Sequence, residues 1–542
     1  MGSRNGLDCV VVGFNDPPIE RFAQFIGKYG EESEAFRDLQ LSFVDIDGQK
    51  LSYVDLMNHV LRQAGKKFSL ASGDIPNLAA AYLTNYLRRN RIRTEYVNLY
   101  QKEKVRLLEL LEQHPACVAL TTTFYVINFP VNEMVDFIRQ HDDKVKIVIG
   151  GPLVANHVRN YEGKDLEIAL TDLGADIYVH DSQGEHTLAQ LTRCLRDGGE
   201  LRSVPNIYYH ENGGFTATPI LPESNSLDEN YVDWEALSSS DLGATLQTRT
   251  ARSCAFSCAF CNYPTRAGKL TLSSLETIEK ELDSMHARGN VKNVVFIDDT
   301  FNVPLPRFKD ICRLMIRKNY GFNWFSYFRC SNSDEEAIDL MAQSGCKGVF
   351  LGIESGSPRI LLNMAKKATI EKYRDGIKML HDREITTFGS YIIGFPGESE
   401  ETVRETYDFI RETGADYYRA QLWYNEAGTP IQKRTGEFGI DGDGFVWEHA
   451  TMDSLEAMEH IERAFLTIDE SEWLPQWSFD FWIIPYLMGK GVSREELKEF
   501  MRIANQLLRL EVATVDSRER AHLQRRSLRQ LVDTVGTWNL VA

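Results

Sequence analysis

The sequence contains no uninterrupted apolar run of about 18 residues, the length a membrane helix requires. Its start, MGSRNGLDCVVVGFN, lacks the long apolar stretch and small-residue cleavage site of a secretion signal. A cytoplasmic protein is expected. An excess of basic charge is also missing, because 60 Lys and Arg against 78 Asp and Glu leave a formal charge of −18. That balance opposes the basic footprint of a general nucleic-acid binder and favours a small-molecule or peptide substrate. Cysteines are not paired in spacing: there are nine, an odd number in a long chain, which argues against a disulfide framework and leaves reduced thiols available as ligands. No G-x-G-x-x-G follows the first expected strand, so a dinucleotide is not expected there. No internal repeat of fixed period is found.

What is present is the composition of a folded globular protein, 43% hydrophobic and 25% charged over 542 residues. At roughly 150 residues per domain, three or four units are expected. Residues 7–201 alternate strand and helix, with strands at 9–13, 94–99, 117–121, 146–149 and 176–179 and an amphipathic helix over 75–89. This pattern predicts a Rossmann-like, doubly wound parallel sheet. About sixty residues, 16–73, interrupt it after the first strand and carry their own helical periodicity, as a folded insert rather than a linker. Residues 202–242 read as a turn-rich connector with a hairpin around Asn212-Gly213-Gly214. From 243 to 423 six strands (246–252, 293–297, 323–328, 348–352, 386–393 and 416–422) alternate with helices, the pattern of a partial (β/α)6 barrel. Residues 424–542 read as a helical C-terminal extension. Its aromatic stretch, with Trp473, Trp477, Phe479 and Trp482, either closes a cavity or forms core.

Directly after the first barrel strand comes Cys254-Ala-Phe-Ser-Cys258-Ala-Phe-Cys261. Three thiolates on one short loop can each take an iron of a cubane cluster and leave the fourth iron open to a chelating molecule. Tetrahedral zinc is the alternative, but it normally asks for four ligands, and no partner pair of Cys or His follows at a finger-like distance. The other six, Cys9, Cys117, Cys194, Cys312, Cys330 and Cys346, read as small buried hydrophobes.

The strand, the C-x3-C-x2-C loop and the five further β/α units together resemble the radical S-adenosylmethionine superfamily over about 243–423. The resemblance implies a [4Fe–4S] cluster on Cys254, Cys258 and Cys261. It implies S-adenosylmethionine held by Phe260 and the backbone near Asn262 and Tyr263 against adenine, by Asp298 and Asp299 of FIDDTF at the amino group, and by Arg329 at the carboxylate. Glu354 of GIESG would meet the ribose or amino acid moiety, and Ile392 and Gly394 of YIIGFPGES would pack on adenine. The second-strand element is Asp-Asp here rather than the commoner Gly-Gly-Glu. Taken singly, Asp298 and Asp299 also read as loop caps, Arg329 as a surface ion pair and GFPGES as a turn before a helix.

The preceding domain resembles the cobalamin-binding domain of the cobalamin-dependent branch of that superfamily. Its expected ligand-facing strand ends are Thr121-Thr122-Thr123, Gly150-Gly151 and Gly184-Glu185. The Asp-x-His-x-x-Gly loop is missing, so no histidine from it would ligate cobalt. The branch implies a methyltransferase: one S-adenosylmethionine methylates cobalamin, a second yields a 5′-deoxyadenosyl radical, and the substrate radical takes the methyl group. An external electron donor such as flavodoxin or ferredoxin is implied. RTARSCAFSCAFCNYPTRAG and FIDDTFNVPLPRF most resemble the P-methyltransferases of phosphinate natural-product pathways, a resemblance that implies a role in antibiotic biosynthesis. A cobalamin-dependent cyclase, a tRNA methylthiotransferase and a non-enzymatic cofactor-binding module are the alternatives. Replacing Cys254, Cys258 or Cys261 singly by Ala is expected to remove the cluster and all S-adenosylmethionine cleavage, whereas Cys312→Ala keeps both. Iron content after anaerobic reconstitution checks this, and a full cluster in Cys258→Ala refutes the assignment.

Overall fold

The computed structural model describes residues 6–71, 74–123, 125, 127–180, 183–211, 213–237, 242–475, 482–513 and 516–541. The chain forms two compact units, neither continuous in sequence. The first is Met1–Pro17, Gly73–Leu242 and Leu272–Gly289; the second is Pro18–Ser72, Gly243–Thr271 and Asn290–Ala542. The insert thus belongs to the second unit.

In the first unit β1 (Cys9–Phe14), β2 (Thr94–Leu99), β3 (Cys117–Thr121), β4 (Lys146–Gly150) and β5 (Ile177–Val179) form the expected parallel sheet. Such strands are covered on both faces and need unbroken apolar runs, which CVVVGF and KIVIG supply. Val10, Val12, Val118, Leu120, Ile147 and Ile149 are all buried in its core. The helix expected over 75–89 begins later, at Leu78, because Asn77 caps it by accepting the Ala80 N–H. The segment read as a connector extends the sheet instead: β6 (Ile207–Glu211) pairs antiparallel with β5, and β7 (Gly214–Ala217) with β6. The strand order is β2-β1-β3-β4-β5-β6-β7.

The second unit holds a parallel sheet of β8 (Thr245–Thr248), β9 (Asn293–Phe296), β10 (Asn323–Phe328), β11 (Cys346–Glu354), β12 (Thr386–Ile393), β13 (Tyr417–Leu422) and β14 (Glu472–Trp473), in that order. The first six are the expected barrel strands; the seventh, two residues long, comes from the tail. On one sheet face Trp324 packs against Phe296, Phe301 and Phe308, the last on the helix Leu305–Lys318. On the other, Tyr327, Phe350 and Phe388 form a ladder with centroids 4.8 Å apart at each step. The tail is not wholly helical, since Asp441–Asp443, Val446–His449 and Met452–Asp453 make a small antiparallel sheet.

The insert is helical as expected, at Ile19–Ile26, Glu34–Gln40 and Tyr53–Gln63, and adds a hairpin of Phe43–Ile46 and Gln49–Ser52. That hairpin turns at Asp47-Gly48, both at positive φ, the two-residue turn that suits strand twist. Tyr53 donates to Asn505 Oδ1 at 2.8 Å and Trp473 Nε1 to the Leu41 carbonyl at 3.2 Å, fastening the insert to the tail. Trp473 is buried against Tyr418 and Phe465 and is a core residue, while Trp482 lies 5.4 Å from Tyr327 beside the aromatic ladder. Trp477 and Phe479 lie outside the described residues. Among the described residues no helix is long and apolar enough to cross a membrane.

One buried charge joins insert and barrel. Arg419 on β13 is 1% exposed and donates from Nη2 to Asp38 Oδ1 at 2.7 Å, with its guanidinium 4.4 Å over the Trp473 ring. Its Nε and Nη1 have no partner among the described residues. Removing the carboxylate paired with a buried cation costs about 3–5 kcal/mol. Asp38→Ala is therefore expected to lower the stability of this unit by that amount in chemical denaturation, and Arg419→Met together with Asp38→Leu by much less.

Candidate functional site

The cysteine loop leaves the sheet through Ser253, which takes a positive φ of 71° and donates from Oγ to the Gly268 carbonyl at 2.6 Å. Both backbone groups of Ala259 are held: its N–H donates to Met364 O at 2.8 Å and its carbonyl accepts from Ile431 N at 2.9 Å. Cys258 is buried, and Cys254 and Cys261 are half-buried. Cys254 Sγ lies 3.4 Å from Thr300 Oγ1. Burial pushes the Cys261 thiol up to about 11; Cys258, Asp299 and Cys254 nearby add to this, and the Tyr263 N–H opposes it. Such a thiol is neutral at pH 7 and gives up its proton to a cationic metal. Among the described residues no three Cys, His, Asp or Glu side chains converge on the position of a single ion. A cubane asks for a different arrangement, one thiolate per iron. Of the other cysteines only Cys194 is half-buried; the rest are buried, and register sets Cys9 and Cys117 side by side on β1 and β3, 3.7 Å apart.

Around this loop the expected residues separate into spent and open groups. Asp298 is spent: its carboxylate accepts from Thr250 N (2.6 Å), Ala251 N (2.8 Å) and Thr250 Oγ1 (2.5 Å), and it shapes the end of the first barrel strand instead of facing a ligand. Asp299 is open. Solvent reaches it, yet protein surrounds its carboxyl closely enough that burial, with Asp298 adjacent, pushes it up to about 7. Arg329 is no surface ion pair: it is 7% exposed, its guanidinium lies 3.8 Å from the centre of the Phe256 ring, and Nη2 has no partner among the described residues. Asn302, which the sequence reading passed over, fixes it by bonding both the N–H and the carbonyl of Arg329 at 3.0 Å. Asn262 is buried with Nδ2 unpartnered among the described residues. Tyr263 accepts the Ser253 N–H at 3.4 Å, and Phe260 meets Phe395 edge-on at 6.5 Å.

Glu354 ends β11 at a φ of +72° and pairs with Lys366 Nζ at 2.7 Å. Ile392 is half-buried on β12. Gly394 has a φ of +89°, and a Cβ there would meet Trp447 at 2.4 Å, so glycine is required by the tail sheet packed over it. His449 Nε2 lies 3.2 Å from the Gly394 carbonyl and Glu398 Oε2 accepts the Gly394 N–H at 2.5 Å. Glu398 stood within the GFPGES motif; Lys366, Trp447 and His449 carried no local signal.

At the carboxyl edge of the first unit's sheet, the Thr121 and Thr122 hydroxyls do not face outward. They donate to the carbonyls of Gly13 (2.7 Å) and Gly150 (2.9 Å). Gly151 has a φ of +109°, and a Cβ there would meet Thr122 Oγ1 at 2.8 Å; one at Gly150 or Gly184 would press on Val179. Glu185 is buried and accepts from Asn225 Nδ2. Thr123 is exposed and Gly151 is half-buried, while Gly184 is buried, so the open part of this edge is smaller than expected.

Residues 248–410 match the model of the radical SAM superfamily, and this stretch is a radical SAM domain. Beyond that class, the chain is similar to an uncharacterized methyltransferase of Pyrococcus horikoshii, 27% identical over 68% of this chain and 79% of that protein. Its fold is similar to the radical S-adenosylmethionine methyltransferase TsrM of Kitasatospora setae, solved with cobalamin and a [4Fe–4S] cluster (TM-score 0.59, 17% identity, 84% of this chain and 97% of that one). It is similar also to the cobalamin-dependent S-adenosylmethionine radical enzyme OxsB, solved with aqua-cobalamin and S-adenosylmethionine (TM-score 0.59, 14% identity, 99% and 85%).

Burial pushes the carboxyl of Glu398 up to about 8, far above its ordinary value. The folded chain keeps a proton that the unfolded chain releases, so stability falls as pH rises from about 4.5 to about 8, by up to about 1.4 kcal/mol per pH unit. Glu398→Gln is expected to flatten that fall, read from denaturant midpoints across this range.

Proposed function

We propose that the protein is a cobalamin-dependent radical S-adenosylmethionine methyltransferase acting on an unactivated carbon or a phosphinate phosphorus of a small molecule or peptide. The observation that carries the reading is one loop of three thiols at the carboxyl end of the first strand of a radical SAM domain, with a five-strand parallel α/β sheet earlier in the same chain. The similarity to the Pyrococcus methyltransferase, to TsrM and to OxsB supports it.

The residues present fit the cofactors. Cys254, Cys258 and Cys261 would hold the cluster. The unpartnered Nη2 of Arg329 fits a carboxylate, and the open Asp299 fits an ammonium group. Of the expected amino-group pair, Asp299 alone takes that role. Gly151 and Thr123 offer backbone and a hydroxyl to a broad planar ligand at the first unit's sheet edge, with the buried Gly184 behind them. When bound, the cluster supplies the electron that cleaves S-adenosylmethionine and cobalamin carries the methyl group. The chain's own contribution is orientation: Asn302 fixes the Arg329 backbone, Phe256 lies against its guanidinium, and the Ala259 tethers fix the loop. An external donor such as a flavodoxin or ferredoxin would feed the cluster, and a reducing compartment such as the cytoplasm suits the free thiols. In a phosphinate pathway the role would be in antibiotic biosynthesis.

The test is anaerobic reconstitution with iron, sulfide, cobalamin and a low-potential reductant, then incubation with methyl-labelled S-adenosylmethionine and candidate carbon and phosphinate acceptors. The expected result is 5′-deoxyadenosine with a labelled methyl product, and a cob(II)alamin spectrum without axial nitrogen splitting. Roughly four irons bound and no 5′-deoxyadenosine would leave a cofactor-binding module; 5′-deoxyadenosine with an unmethylated cyclised product would establish the cyclase.

A further inference from the structure

Lys366 lies on the turn after the short helix Pro358–Asn363 and is 6% exposed, an unusual place for an ammonium group. The turn is tightly specified: Ala365 and Lys367 on either side both have a φ of 51°, and the Lys366 N–H donates to Leu361 O at 3.0 Å. Its Nζ bonds Glu354 Oε1 at 2.7 Å and lies 5.4 Å from the Phe260 ring centre, between two cysteines of the loop. The residue two before it, Met364, takes the Ala259 N–H. Lys366 therefore touches both the loop and the end of β11. Gly352 makes room for the pair, since a Cβ there would lie 2.7 Å from Glu354 Oε1 and 3.4 Å from Lys366 Nζ. The lysine uses only Oε1 of Glu354, leaving Oε2 outside that bond.

We propose that Lys366 is a positioning residue of the S-adenosylmethionine site. It holds Glu354 in its left-handed backbone conformation, with one oxygen used and the other directed to the hydroxyls of the cosubstrate, and it steadies Phe260. Without the ammonium group Glu354 would sit buried and unpaired, and would turn away from the site. The inference rests on the reading of this site as the S-adenosylmethionine site.

The test is a double-mutant cycle on the reconstituted full chain, Lys366→Met and Glu354→Gln singly and together. Two readouts are used: iron content, and the S-adenosylmethionine concentration needed to change the electron paramagnetic resonance spectrum of the reduced cluster. Lys366→Met is expected to keep its iron and to require at least tenfold more S-adenosylmethionine. Glu354→Gln is expected to weaken binding similarly, and the double variant no further, because the lysine acts through the glutamate. Equal losses from Lys366→Met in both backgrounds, or no loss in either, overturn the proposal. If Lys366→Met loses iron, Lys366→Gln, which still donates to Glu354, replaces it. Weakening by Lys366→Gln that disappears in the Glu354→Gln background, or affinity kept by Lys366→Gln and lost in Lys366→Met, supports the proposal, and equal weakening in both backgrounds overturns it. A wild-type cluster whose spectrum ignores S-adenosylmethionine would instead sink the reading of the site itself, and this inference with it.

Discussion

The arrangement of the site depends on a single residue with no functional side chain. Ala259 gives its N–H to Met364 and its carbonyl to Ile431, so the middle of the cysteine loop is bonded to the return after β11 on one side and to the tail on the other. A loop carrying three thiols has every reason to be loose, because its backbone polar groups otherwise seek water. Two hydrogen bonds to segments more than 100 residues downstream remove that freedom before any cofactor arrives. The same tethers bring Phe260 to Lys366 and Phe395, and Phe256 lies against Arg329, so the aromatic residues between the cysteines act as spacers against neighbouring strand ends.

A second constraint sorts the polar residues of the barrel rim. Those whose hydrogen bonds are satisfied within the chain build the rim, and those left with an open atom are fit to meet a ligand. Asp298 and Asp299 are adjacent and chemically identical, yet three donors from Thr250 and Ala251 occupy the first, while the second meets only its own backbone N–H among the described residues. Burial raises both carboxyls, and for Asp299 the neighbouring Asp298 adds to the effect. The pair is thus one structural anchor and one solvent-reached acid.

Both sheets were legible because parallel strands buried on two faces write themselves as apolar runs at regular intervals, and the thiol motif was legible because its spacing is local. Thr121 and Thr122 were misjudged for a general reason: position at a carboxyl strand end says that a hydroxyl is near the ligand crevice, not which way it points, and both hydroxyls point to backbone carbonyls. The hairpin of 207–217 was legible from its turn residues, but its membership of the sheet was not, because only its long-range pairing with β5 distinguishes it from a hairpin within a connector. Lys366, Asn302 and His449 were invisible because their importance lies in long-range partners, and a lone Lys, Asn or His carries no periodicity.

The ownership of the insert follows from burial rather than from chain order. The insert leaves β1 of one sheet, yet its polar anchors, Asp38, Tyr53 and the Leu41 carbonyl, all find partners in the barrel or its tail. β14 is only two residues long and offers little backbone pairing of its own. Trp473 on that strand supplies what the pairing cannot: its ring covers Arg419, its edge packs on Tyr418 and Phe465, and its indole N–H binds the insert. A marginal edge strand is thereby stabilised by side-chain contacts on both sides, which is why the aromatic tail residue closest to the barrel became core, and why the insert could not fold as an appendage of the sheet it interrupts.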